Sequence, residues 1–168
     1  MPVVKIEDLP DTSRVWVFGS DRPLHPDKTA LLLEEVDRFL AGWKAHGTPL
    51  TVARSWKHDR FLTIAVHQST AGASGCSIDG LYRALKALEP RLGASLVTSG
   101  VVFYRGESGA IMCSPRDRFA QLGSEGKVSA STEVFDPTVT SLGEWRARFE
   151  LKAGESWHAG LLEDGQRV

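Results

Sequence analysis

A chain of 168 residues, 42% hydrophobic and 24% charged, has an ordinary globular composition with room for one sizeable core and at most a small appended unit. The net charge of −1 supplies no global positive field, which argues against a nonspecific nucleic-acid binder or a partner of anionic membrane. Two cysteines, Cys76 and Cys113, form no Cys-x-x-Cys pair, so a disulfide framework and a metal site are both disfavoured.

Residues 1–12 lack periodicity and read as a lead-in arm. Their composition has no basic segment followed by an apolar stretch, and no later run approaches the roughly 20 apolar residues of a bilayer span, so a cytoplasmic location with no membrane partner is expected. Residues 14–18 (RVWVF) are rich in β-formers and predict the first strand. Pro26 suits a first helical position. Leu32, Leu33, Val36, Phe39, Leu40 and Trp43 follow at three- and four-residue spacing and predict a helix over 26–46, stopped by Gly47 with His46 in its last turn.

Residues 50–56 and 61–66 predict two strands joined by a polar hairpin connection over 57–60. A second helix is expected over 77–89, with Ile78, Leu81, Leu85 and Leu88 as its apolar stripe. Ser77 would be its N-cap, Asp79 would lie in its first turn, and Pro90 and Gly93 would end it. Strands follow at 101–104 and 110–113. Ser114 and Asp117 have capping-box spacing for a short helix ending near Gly123. Residues 131–135 and 145–151 read as further strands, and 159–168 as a frayed tail.

The order β-α-β-β-α-β is the split βαβ arrangement of ferredoxin-like folds. It predicts an α+β core domain over 13–113, with a four-stranded antiparallel sheet carrying both helices on one face. A C-terminal α/β extension over 114–158 would cover the other. Alternation is expected to turn Val15 and Val17 toward the helices together with Leu62, Ile64 and Val66. Trp16, Phe18, Phe61, Thr63, Ala65 and His67 would then share the opposite face, buried by residues beyond 110.

The segment 67–79 (HQSTAGASGCSID) nominates a site. From Gln68 to Ser77 it is uncharged and dominated by small residues, so backbone N–H groups can approach a ligand, and it opens onto a helix N-terminus that favours negative charge. Gly72, Ser74, Gly75, Cys76 and Ser77 are the candidate contacts for a small anionic ligand, with Arg22 and Arg54 as possible anion-binding cations and Trp157 as a lining group. Should the protein be an enzyme, Cys76 is the candidate nucleophile, with His67 or His158 as base and Asp79 as orienter. The packing alternative makes Cys76 a small thiol between helix and sheet. Phosphate-loop hydrolysis is disfavoured because Gly-x-x-x-x-Gly-Lys-Ser/Thr and Gly-x-Gly-x-x-Gly are absent. Residues 72–75 match a Gly-x-x-Gly pattern without flanking basic residues, and no cofactor is implied. Near the C-terminus, Trp157 reads as a docking anchor, with His158 either a surface neighbour or a group brought back to the loop.

Several of these segments together resemble a family of small bacterial proteins of unknown function: residues 13–16 (SRVW), 43–47 (WKAHG), 72–79 (GASGCSID), 132–135 (TEVF) and 156–158 (SWH). Members often carry the label "ABC transporter ATPase", which the missing phosphate-loop pattern does not support. The resemblance implies a shared fold and a shared site, without an activity. Three functions follow as expectations. The first is a non-catalytic module binding a small anion at residues 72–79. The second is a cysteine-dependent hydrolase or transferase. The third is a single-stranded RNA binder stacking bases on Trp16, Phe18 and Phe61, which the near-zero charge disfavours.

Overall fold

The computed structural model describes residues 3–45, 47–67, 75–96 and 100–166. The chain is mixed α+β with antiparallel sheets, and it divides into two compact units: residues 1–98 with 138–145, and residues 99–137 with 146–168.

In the first unit, β1 (Arg14–Gly19), β4 (Val52–Lys57) and β5 (Phe61–Val66) form a three-stranded antiparallel sheet in the order β1-β5-β4. All six residues of β5 are buried, as a central strand with two covered faces requires. The connection between β4 and β5 is the polar hairpin expected, with His58 and Asp59 both left-handed at φ 58° and 57°. Asp and His tolerate that region better than most side chains. Helix α1 (Pro26–Ala41) buries Leu32, Val36 and Leu40, one residue per turn. It ends at Gly42 rather than Gly47, because the chain turns there into a small ribbon of β2 (Lys44–Ala45) and β3 (Thr48–Pro49). His46 lies outside the described residues.

Helix α2 (Gly75–Leu92) starts two residues earlier than expected and runs through Pro90. A proline near a C-terminus forgoes one backbone bond, and Gly93, at φ +67°, makes the stop by donating its N–H to Glu89 O. Ser77 is therefore inside the helix, not its cap. No acidic residue lies in the first turn, so Asp79 does not complement the dipole there.

Both helices contribute to one core cluster with the sheet, and Leu62, Ile64 and Val66 of β5 face them as expected, but the alternation of β1 is opposite to the one expected. Direct pairing puts Trp16 across from Ile64 and Phe18 across from Leu62, so these four share the helix-facing side. The Phe18 ring meets Tyr82 of α2 edge-on at 5.4 Å. Phe18 and Trp16 are thus packed by helices, not by residues beyond 110. Val15 pairs with Ala65 on the other face and is also buried.

The outer edge of β1 is occupied by the returning segment 138–145. Val15 N–H donates to Thr140 O, and Leu142 N–H donates to Ser13 O. The lead-in arm is tied down as well: Val3 bridges in parallel to Val52, and Ile6 and Leu9 are buried.

Strand β6 (Val101–Arg105), the expected fourth member of the first sheet, is instead central in a second sheet. With β7 (Ile111–Pro115), β8 (Glu133–Phe135) and β9 (Glu150–Lys152) it makes the order β7-β6-β8-β9. The ferredoxin-like order is therefore not formed by these strands.

Helix α3 (Arg116–Ser124) follows β7 without a serine cap, because the Ser114 hydroxyl is engaged with Tyr104 Oη at 3.1 Å. Residues expected as a strand from 145 lie in α4 (Leu142–Arg148) before β9 begins. The expected frayed tail is helix α5 (Ala159–Gln166), with Leu162 buried. One face of the second sheet presents Val102, Tyr104 and Val134 to Phe119 and Leu122 of α3 and to Leu162 of α5 in a single cluster. α5 lies directly along α3: a Cβ built on Gly123 would sit 2.7 Å from Leu162 Cδ2.

Candidate functional site

Residues 68–74 lie outside the described residues, so the Gly72 and Ser74 expectations fall there, as does the side chain of Cys76. The start of α2 at Gly75 puts the backbone of Gly75, Cys76 and Ser77 in its first turn, at the positive end of the helix dipole. This turn is braced from below. Ser77 Oγ donates to Lys44 O at 2.9 Å, and Trp43 Nε1 donates to Ser77 O at 2.9 Å. Asp79 is exposed and His67 half-buried, the latter's backbone N–H donating to Thr51 O at 2.9 Å.

The two candidate arginines differ. Arg22 is solvent-exposed, with Nε 3.7 Å from Asp21, a contact of little energetic weight. Arg54 makes a two-pronged bond to Asp37 of α1, Nε to Oδ1 at 2.6 Å and Nη2 to Oδ2 at 2.9 Å. That carboxylate holds the guanidinium pKa above its ordinary value, against the lowering effect of burial. The pair forms one wall of a groove of about 590 Å³ lined by Val3, Lys5, Glu7, Leu33 and Trp56 among others. The alternation of β4 explains its placement: Arg54 and Trp56 project on the same side as Leu62 and Ile64, toward α1.

The second cluster surrounds the Ser-Trp-His segment, and here the docking-anchor expectation inverts. His158 is the fully buried residue, and Trp157 is half-buried. The rings of Trp157 and His158 stack at 3.9 Å with 23° between planes, and Phe119 meets the imidazole edge-on at 6.1 Å. His158 Nδ1 lies 2.7 Å from Ser156 Oγ, while Nε2 is buried with no hydrogen-bond partner. Burial lowers the imidazole pKa to about 4; the nearby Asp136 carboxylate opposes the shift and Arg116 adds to it. A serine beside a neutral imidazole has the parts of a nucleophilic dyad. A base of pKa about 4 is nonetheless poorly matched to proton abstraction near neutrality.

Three buried or clustered charges have no mark in the sequence pattern. Arg60 is only 8% exposed and donates to Ser20 O at 3.3 Å, and Asp136 is 7% exposed. Arg116 lies over the Trp157 ring at 5.0 Å. Each looks like an ordinary surface residue in a turn or at a helix start, and no local spacing marks it. Among the described residues no group of three or more His, Cys, Asp or Glu side chains could hold a metal ion, and no helix is long and apolar enough to cross a membrane. No protein-family model, curated protein or solved structure matches the chain.

Proposed function

We propose that this protein is a non-catalytic ligand-binding module, taking a small molecule with an anionic group into the groove between α1, β4 and the N-terminal arm. The observation that carries the reading is the Arg54–Asp37 pair in the groove wall. Its two bonds orient the guanidinium rigidly, and the remaining N–H groups of Arg54 stay available to an incoming carboxylate or phosphate. Lys5 adds a second cation at the same groove, and Leu33 and Val3 supply apolar surface. The volume of about 590 Å³ suits a compact organic ligand. Asp37 and Glu7 balance the two cations, so a molecule carrying only negative charge should bind less tightly than one that also presents a donor.

The test is a titration with succinate, glutamate and inorganic phosphate, followed by the Arg54 Nε–H and Trp56 indole resonances. Saturable shifts are expected at both resonances, and the Trp56 shift should vanish in Arg54→Gln. Unmoved resonances at millimolar ligand would defeat the proposal.

A second reading rests on a different observation, the start of α2 at Gly75 within the small-residue segment. That start supports an anion site favoured by the positive end of the α2 dipole, which is also what the family resemblance would share. Phosphate-induced shifts confined to the N-terminal end of α2, unchanged in Arg54→Gln, would favour it over the groove.

A further inference from the structure

We propose that His158 is an acid-released latch holding the C-terminal helix α5 against α3. The inference is independent of the groove and concerns the second unit alone. The His158 ring sits where α5 begins, its own carbonyl accepting the N–H of Leu161 at 3.1 Å and of Leu162 at 3.4 Å. It is 0% exposed and wedged between the stacked Trp157 and the edge of Phe119 from α3. Arg116, also from α3, lies over the Trp157 ring at 5.0 Å. Segment and helix are thus joined through one imidazole and the aromatic rings on either side of it.

That arrangement accommodates only the uncharged ring. In the neutral state Ser156 Oγ satisfies Nδ1 and the uncharged Nε2 can remain buried at modest cost. A second proton would put an N–H on both ring nitrogens. Ser156 could accept one, and the one on Nε2 would have no acceptor in this packing. The imidazolium would also lie at the positive end of the α5 dipole.

The charged groups facing the ring from the packed elements are Asp136, following β8, and Arg116 of α3. The first favours protonation and the second resists it, and burial outweighs both. The closed state therefore binds fewer protons than the released segment, whose histidine returns to the ordinary value of 6.5. Closure is independent of pH above that value, weakens as pH falls toward about 4, and levels off below it. Release would uncover Phe119 and Leu122 of α3 along with Leu162, an apolar strip now fully enclosed.

The experiment is amide hydrogen exchange resolved by peptide on the full chain, with a parallel NMR titration of the histidine rings. Between pH 7 and pH 5, after correction for intrinsic exchange, the opening equilibrium of residues 156–166 should rise about 20-fold. Amides of β6 and β8 should remain protected, and His158→Asn should abolish the rise. Uniform pH dependence across the second unit would overturn the latch, as would an unchanged slope in His158→Asn. The ring titration does not depend on any variant folding: a His158 ring titrating near 6.5 in the intact protein refutes the proposal.

Discussion

Gly123 offers a test of the α3–α5 contact in which the sign of an effect must reverse. The residue lies in the last turn of α3, and its φ is not in the left-handed region, so alanine is compatible with the backbone. The added methyl would stand 2.7 Å from Leu162 Cδ2 and 3.9 Å from its Cγ. Leu162 is 7% exposed and enclosed by the second-sheet cluster, so its branch cannot simply swing into water. Overpacking of this kind costs about 1–3 kcal/mol, while replacing a helical glycine with alanine returns about 0.5–1 kcal/mol. Gly123→Ala should therefore destabilise the protein by about 1–2 kcal/mol, read as a lower urea midpoint at unchanged slope by circular dichroism. In a Leu162→Ala background, itself weakened by about 2–4 kcal/mol, the methyl has free space and only the helical gain remains. There Gly123→Ala should stabilise by about 0.5–1 kcal/mol, a coupling of about 2 kcal/mol between the two sites. Equal destabilisation in both backgrounds would show that α5 does not lie on α3 at this point.

Other consequences are simpler. Leu32 is completely buried on the core face of α1, and Leu32→Ala should cost about 2–5 kcal/mol in chemical denaturation, whereas the same change at the more exposed Leu31 should cost much less. Ser77→Ala removes the hydroxyl bond to Lys44 O and should lower stability by about 1 kcal/mol; a null effect would mean that the bond is not formed. Phe119→Ala empties the contact shared by Tyr104 and His158 and should cost about 3–5 kcal/mol, with the histidine ring pKa rising as water reaches it, measurable in the same NMR titration if the variant folds.

Local physics was legible wherever one residue type acts at a fixed spacing. The Leu32, Val36 and Leu40 stripe, the Leu81 and Leu85 stripe and the polar hairpin at His58 and Asp59 all stand where periodicity put them. Helix ends were less legible, because Gly42 acts as a boundary only given the ribbon into which the chain turns there. Ser77 has the side chain of a cap, yet with α2 already begun its hydroxyl turns to the ribbon carbonyl of Lys44.

At the candidate sites, Arg54 and His158 were visible as residue types, but their roles depended on contacts remote in sequence. Asp37 is 17 positions from Arg54, and the His158 ring is closed in by Phe119. Arg60 and Asp136 carried no local signal at all, since burial of a charge follows from tertiary packing, and neither did the exposed Arg116, whose place over the Trp157 ring depends on a contact remote in sequence.

Short-range periodicity and composition were enough for the mixed α+β content and for the apolar faces of the two long helices. Strand pairing needed the folded chain. A β-strand carries the same hydrogen-bonding edge whichever neighbour it meets, and register is set by long-range fit. That is why Trp16 and Phe18 turn toward the helices through pairing with Ile64 and Leu62, and why Val101–Arg105 joins Ile111–Pro115 and Glu133–Phe135 in a sheet of its own. It is also why the C-terminal residues form a helix, since α5 is too short to persist without the surface of α3 beneath it.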